Sequence, residues 1–107
     1  MKPAMGIEAM RAHAGTVAAI LKVLAHPDRL LILCRLSEGE AHVGELVEVT
    51  GIRQSLVSQH LAILRAAGAV AARAEQQSRY YSIASPLVAQ IFDSLCATCG
   101  ATLIKAA

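Results

Sequence analysis

Residues 43–68 read VGELVEVTGIRQSLVSQHLAILRAAG, and this stretch decides the fold. Its first part has the spacing of a short helix over residues 43–49, with Leu46 and Val49 expected to face inward. Gly51 is a natural helix terminator, and Gly51 with Ile52 closes a turn. Residues 54–67 give the next helix, with Leu56 or Val57, Leu61 and Leu64 on its inner face, and Gly68 ends it. Two helices joined this way form a helix-turn-helix.

The flanks extend the unit. Residues 69–74 read as a strand, Glu75-Gln76-Gln77-Ser78 as a turn, and residues 79–83 as the returning strand, where Tyr80, Tyr81 and Ile83 favour extended backbone. Upstream, Ile7, Met10, Ala14, Val17, Leu21 and Leu24 recur at helical spacing over residues 5–24. Pro27 then suits the first turn of a helix reaching about residue 36, with Leu30, Leu33 and Cys34 on one face. Downstream, Ser85-Pro86 caps a last helix to about residue 104. The expected class is mainly α (α+β): a winged helix-turn-helix with the order helix, helix, helix-turn-helix, two-stranded hairpin, helix. It is expected as one domain over residues 1–107, with the helix-turn-helix at 43–67, the wing at 69–83 and outer helices at 5–24 and 86–104.

Charge is distributed unevenly about a small net value of +2. Residues 37–50 hold Glu38, Glu40, Glu45 and Glu48 and no lysine or arginine, whereas residues 51–81 hold Arg53, Arg65, Arg73 and Arg79 against Glu75 alone. A basic half on a near-neutral chain fits a nucleic-acid face. The helix at 54–67 carries Gln54, Ser55, Ser58, Gln59 and His60 and no acid. Short polar side chains of this kind reach base edges and phosphates, and Arg53 stands where a helix N-terminus meets a phosphate. Arg73, Gln77 and Arg79 are the expected wing contacts.

Five fragments, HPDRL (26–30), VGEL (43–46), SLVSQHL (55–61), LRAAG (64–68) and RYY (79–81), together resemble the ArsR/SmtB family of winged-helix repressors. The resemblance spans about residues 15–100. It implies a homodimer built through the first and last helices, bound to an inverted repeat in double-stranded operator DNA. Two recognition helices on a two-fold axis require half-sites about one helical turn, roughly 34 Å, apart. A chain of 55% hydrophobic residues but only 107 positions also has apolar surface to give to a second subunit.

Many members of that family leave DNA on binding a metal, but the usual signatures are missing. The third helix has no Cys-x-Cys, and the last has Asp93 alone, with the four histidines at 13, 26, 42 and 60 scattered elsewhere. No cofactor and no resident metal are expected. Cys34 resembles the second-helix cysteine of the branch that senses reactive sulfur or oxidants, which implies a disulfide or polysulfide bridge to a cysteine near the end of the last helix. Cys99 is favoured as its partner by position, with Cys96 as a possible third participant. Thiolates attack sulfane sulfur or a sulfenic acid, and a neighbouring thiol resolves the product. The inducer is thus expected to be a small inorganic sulfur species or oxidant. Arsenite or another thiophilic ion on Cys34, Cys96 and Cys99 is the alternative inducer, and a protein-interaction module that has lost DNA binding is the more distant rival.

An enzyme is not expected. Cys96-x-x-Cys99 lies deep in a helix rather than at its N-terminus, unlike an activated dithiol, and no strand–helix–strand pattern precedes it. No apolar run reaches the roughly 18 residues of a membrane span, and no signal-peptide layout opens the chain, so a cytoplasmic protein without membrane contact is expected.

Overall fold

The computed structural model describes residues 3–99 in the order α1 (Pro3–Leu24), α2 (Pro27–Leu36), β1 (Ala41–His42), α3 (Val43–Thr50), α4 (Gln54–Ala66), β2 (Val70–Glu75), β3 (Ser78–Ile83) and α5 (Pro86–Thr98). This is the expected mainly helical winged helix-turn-helix. Residues 100–104 of the expected last helix lie outside the described residues.

Local chemistry sets the boundaries. Pro27 and Pro86 open α2 and α5 at the one helical position where a missing N–H costs nothing. The residue before each supplies the cap: His26 Nδ1 accepts from the Asp28 amide at 3.1 Å, and Ser85 Oγ from the Val88 amide at 3.2 Å. α3 opens on a reciprocal capping box, in which His42 Nδ1 accepts from the Glu45 amide and Glu45 Oε1 from the His42 amide. Gly51 ends α3 at φ 75°, a left-handed conformation that a side chain would strain. Thr50 Oγ1 donates back to the Leu46 carbonyl at 2.6 Å and accepts from the Ile52 amide at 3.2 Å, so the turn into α4 is hydrogen-bonded and Ile52 is buried beneath it.

The core gathers Ile32, Leu33 and Leu36 of α2, Leu46 of α3, Val57, Leu61 and Leu64 of α4, and Val88 and Phe92 of α5. α4 therefore buries the face expected of it, with Val57 rather than Leu56 fully inside. Val49 is a correction: it is 63% exposed, because α3 turns Val43, Leu46 and Val47 to the core and Val49 lies off that arc. On α2, Leu33 is buried while Leu30 and Cys34 are exposed, so those three do not share one buried face.

The wing is a three-stranded antiparallel sheet in the order β1-β3-β2. β1 is a strand that the sequence reading does not anticipate. It pairs Ala41 with Tyr81 and His42 with Tyr80, and so ties the start of α3 to the wing. Ile7, Met10 and Leu21 on α1 and Leu95 on α5 remain exposed. Among the described residues no helix is long and apolar enough to cross a membrane.

Candidate nucleic-acid interface and thiol pair

α4 rests on the core through Val57, Leu61 and Leu64, which leaves its opposite face free. Gln54, Ser55, Ser58 and Gln59 are all exposed there, and Arg53 is exposed just ahead of them. No side chain caps the first amides of α4, so they stay open to an anion, with the positive end of the helix behind them. A recess between α4 and β3 brings together Ser58, Arg65 and Arg79. Arg65 belongs to the basic half of the sequence but is not among the expected contact residues. Its signal was present, since Ser58, Ala62 and Arg65 lie four and three residues apart and therefore on one helical face.

His60 is a correction. It was expected among the DNA-facing groups, but it is only 7% exposed and faces α2. Its ring lies 4.6 Å from that of His26, its Nδ1 is 3.3 Å from Arg29 Nη1, and its Nε2 is 3.5 Å from Asp28 Oδ2. A guanidinium only donates, so Nδ1 accepts and the proton of neutral His60 sits on Nε2, toward Asp28. Burial first, then His26 and Arg29, hold the His60 pKa below its ordinary 6.5 against the opposing pull of Asp28. Arg29 Nε also donates to the Val23 carbonyl at 2.6 Å, which fastens α1 to this network.

Arg73 departs from the expectation in its partners rather than in its placement. It is exposed, but its guanidinium is already occupied. It forms a two-pronged pair with Glu40 at 2.7 and 2.8 Å, a further contact to Glu75 at 2.7 Å, and stacks 4.8 Å above the Tyr80 ring. Those carboxylates hold the Arg73 pKa above its ordinary value, and Arg73 in turn lowers that of Glu40. Two acids pair with the cation and join the wing to the loop before β1, so less of its charge is free than at Arg79. Arg79 has no such pairing among the described residues, and Gln77 is exposed at the hairpin tip. Arg79→Ala is therefore expected to make the salt slope of DNA binding by a dimer shallower by about 2, one phosphate per protomer, while Arg73→Ala leaves the slope unchanged. Titrations at several salt concentrations measure both, and equal changes in slope would contradict the assignment.

The thiols gather at the opposite side of α2. Cys34 Sγ lies 3.3 Å from Cys96 Sγ, across the α2–α5 contact. Ser37 Oγ stands 3.7 Å from the same Cys96 sulfur. The positional preference for Cys99 does not match this geometry, since Cys96, one turn earlier, meets Cys34, and Cys99 is exposed at the end of α5. All three thiols line one recess of about 260 Å³ whose other walls are Leu30, Leu31, Phe92 and Leu95. The Cys34 thiol is pushed up to about 11, first by its hydrogen bond to Cys96 and then by burial and nearby negative charge. Among the described residues, the trio whose ligand atoms all lie within 4.8 Å of one another is His26, Asp28 and His60, not the three thiols. In that trio His26 Nδ1 caps α2 and the Arg29 guanidinium faces His60 Nδ1, so the polar atoms are satisfied without an ion and a cation would meet a positive neighbour.

Comparison with known proteins places this geometry. The family model for bacterial regulatory proteins of the arsR family matches residues 26–72. A biofilm growth-associated repressor from Agrobacterium fabrum is 43% identical over 89 residues, which cover 83% of this chain and 76% of that one. The crystal structure of the transcriptional repressor BigR from Xylella fastidiosa superposes with a TM-score of 0.77 at 41% identity, covering 82% of this chain and 90% of that one. A homodimeric winged helix-turn-helix DNA-binding domain from Mycobacterium bovis superposes with a TM-score of 0.74 at 34% identity, covering 87% and 86%.

Proposed function

The chain belongs to the ArsR family of bacterial regulatory proteins and is a DNA-binding transcriptional repressor, and we propose that the thiol pair joining α2 to α5 controls its hold on operator DNA. It is a regulator and not an enzyme. In this reading it works in the cytoplasm as a homodimer through α1 and α5, whose exposed Ile7, Met10, Leu21 and Leu95 are suited to burial against a second copy. Each protomer lays α4 in the major groove of one half of an inverted repeat. Ser55, Ser58, Gln54 and Gln59 face the bases and nearby phosphates, while Arg53, Arg65 and Arg79 meet the backbone. Arg73 contributes indirectly, by bracing the wing.

The observation that carries the switch is the 3.3 Å separation of Cys34 and Cys96. A disulfide needs about 2.05 Å, so the sulfurs must close by only about 1.3 Å. Reactive sulfur species or oxidants supply the two-electron chemistry. The bond would tie α2, which seats the recognition helix, to α5, which serves the dimer. A change in that joint alters the spacing of the two recognition helices, and the half-site spacing of DNA does not follow it.

Gel shift on the promoter region of the protein's own operon tests this. Oxidation with polysulfide or peroxide is expected to weaken binding by about 5- to 150-fold, the usual span of coupling between two sites. Cys34→Ser should bind DNA as the reduced wild type does and ignore the oxidant. A Cys34→Ser protein that still releases DNA would overturn the switch. Arsenite is the comparison arm, because three thiols share the recess even though their sulfurs do not form a mutually close trio.

A further inference from the structure

We propose that Cys96 is the thiol that reacts first, that Ser37 positions its sulfur, and that Cys34 is the resolving thiol; this rests on the thiol-switch reading above. Two neighbours converge on Cys96 Sγ. Cys34 approaches to 3.3 Å and Ser37 Oγ to 3.7 Å. Ser37 sits at the C-terminal end of α2, and its hydroxyl donates to the Cys34 carbonyl at 2.6 Å. With its proton so placed, Ser37 Oγ can accept from the Cys96 thiol, which leaves the Cys34 S–H to donate in a sulfur–sulfur contact where either atom can be the donor. The proton of Cys96 has an acceptor beside it, and its sulfur has a donor.

Once Cys96 ionises, the Ser37 hydroxyl can rotate to donate to it as well, so the thiolate is held by two donors. Cys34 has the opposite setting. Its proton is retained by the bond to Cys96, and its pKa is pushed up to about 11. Only a thiolate attacks, so a thiol held protonated at neutral pH is a poor first nucleophile. Glu38 and Cys99 add to the negative surroundings of Cys34. Asp93 of α5 shares a recess with Ser37 and Glu38. Arg35, the nearby cation of α2, is spent on the Gly39 carbonyl at 3.0 Å and on Glu45 at 3.9 Å.

With an organic hydroperoxide as the oxidant, the steps balance as follows. The Cys96 thiolate attacks the terminal peroxide oxygen, an S–O bond forms, the O–O bond breaks, and the alkoxide leaves and takes up the thiol proton as an alcohol. Cys34 sulfur then attacks Cys96 sulfur. The S–S bond forms, the S–O bond breaks, and hydroxide leaves with the Cys34 proton as water. Two thiols lose two electrons, and the hydroperoxide becomes one alcohol and one water. The second step suits Cys34, because oxidation removes the Cys96 acceptor that had retained its proton.

The test uses the full-length protein in a Cys99→Ser background, with tert-butyl hydroperoxide as oxidant and a dimedone trap read by mass spectrometry across pH. Cys34→Ser should leave Cys96 labelled at close to the rate of its first oxidation in the parent. In the parent, with both thiols present, brief exposure at neutral pH should trap the sulfenic acid on Cys96 in about tenfold or greater excess over Cys34, because Cys34 keeps its proton only while Cys96 stands beside it. Ser37→Ala should move the midpoint of the Cys96 pH–rate profile upward, and Ser37→Thr should restore it, a response that loss of packing alone would not produce. Equal labelling of Cys34 and Cys96 in the parent overturns the order of attack, and an unmoved profile in Ser37→Ala overturns the role of Ser37. In both cases the switch still stands if the parent forms the Cys34–Cys96 disulfide. If neither thiol is labelled and no disulfide forms, the switch reading falls as well.

Discussion

Raising monovalent salt from 50 to 200 mM is expected to weaken operator binding by about a thousandfold. The estimate follows from the cations that remain unspent. On each protomer Arg53, Arg65 and Arg79 are exposed on or beside the α4 face, whereas Arg73 is neutralised by Glu40 and Glu75. A dimer thus brings about six arginines to phosphates. Each neutralised phosphate adds about 0.9 to the slope of log affinity against log salt, giving a slope near −5 and a loss of about three decades over a fourfold change in salt. Had Arg73 been a free contact, the slope would approach −7. Fluorescence anisotropy on a labelled operator duplex, repeated at five or six salt concentrations, measures this directly. A slope shallower than about −2 would falsify the proposed phosphate contacts.

The same residues show how far the sequence could be read. The boundaries of α4 and the turn before it were legible because Gly51 needs a left-handed backbone and because Val57, Leu61 and Leu64 repeat at helical spacing. The strand at Ala41–His42 was not legible. Two residues carry no alternation to detect, and β1 exists only because β3 pairs beside it. The state of Arg73 was hidden for the same reason. Glu40 lies 33 residues away along the chain and reaches Arg73 only through the folded wing. Val49 misled because a helix of eight residues gives too few positions to fix its phase. The choice between Cys96 and Cys99 turned on the rotation of α5 against α2. Both thiols enter the same recess, and only the packing decides which one meets Cys34.

His60 is the position where the two readings predict opposite outcomes. As an exposed DNA contact, its replacement by alanine would lower operator affinity and leave stability unchanged. As a buried imidazole between Arg29 and Asp28, its removal opens a cavity between α2 and α4 and strips a partner from a guanidinium, which is expected to cost about 3 kcal/mol of stability. Its protonation provides an independent check. Because the folded protein favours the neutral ring, the unfolded chain takes up the proton more readily. The stabilisation due to His60 is therefore full above about pH 6.5, and it is lost as the pH falls from there through the depressed folded-state value. Urea unfolding of the wild type and of His60→Gln across this range isolates the effect. Glutamine keeps much of the volume and an acceptor for Arg29 but does not titrate, so the variant should lack that part of the acid-side decline. The recognition helix would then owe its seat on α2 to a neutral histidine, and an identical pH dependence in both proteins would refute that role.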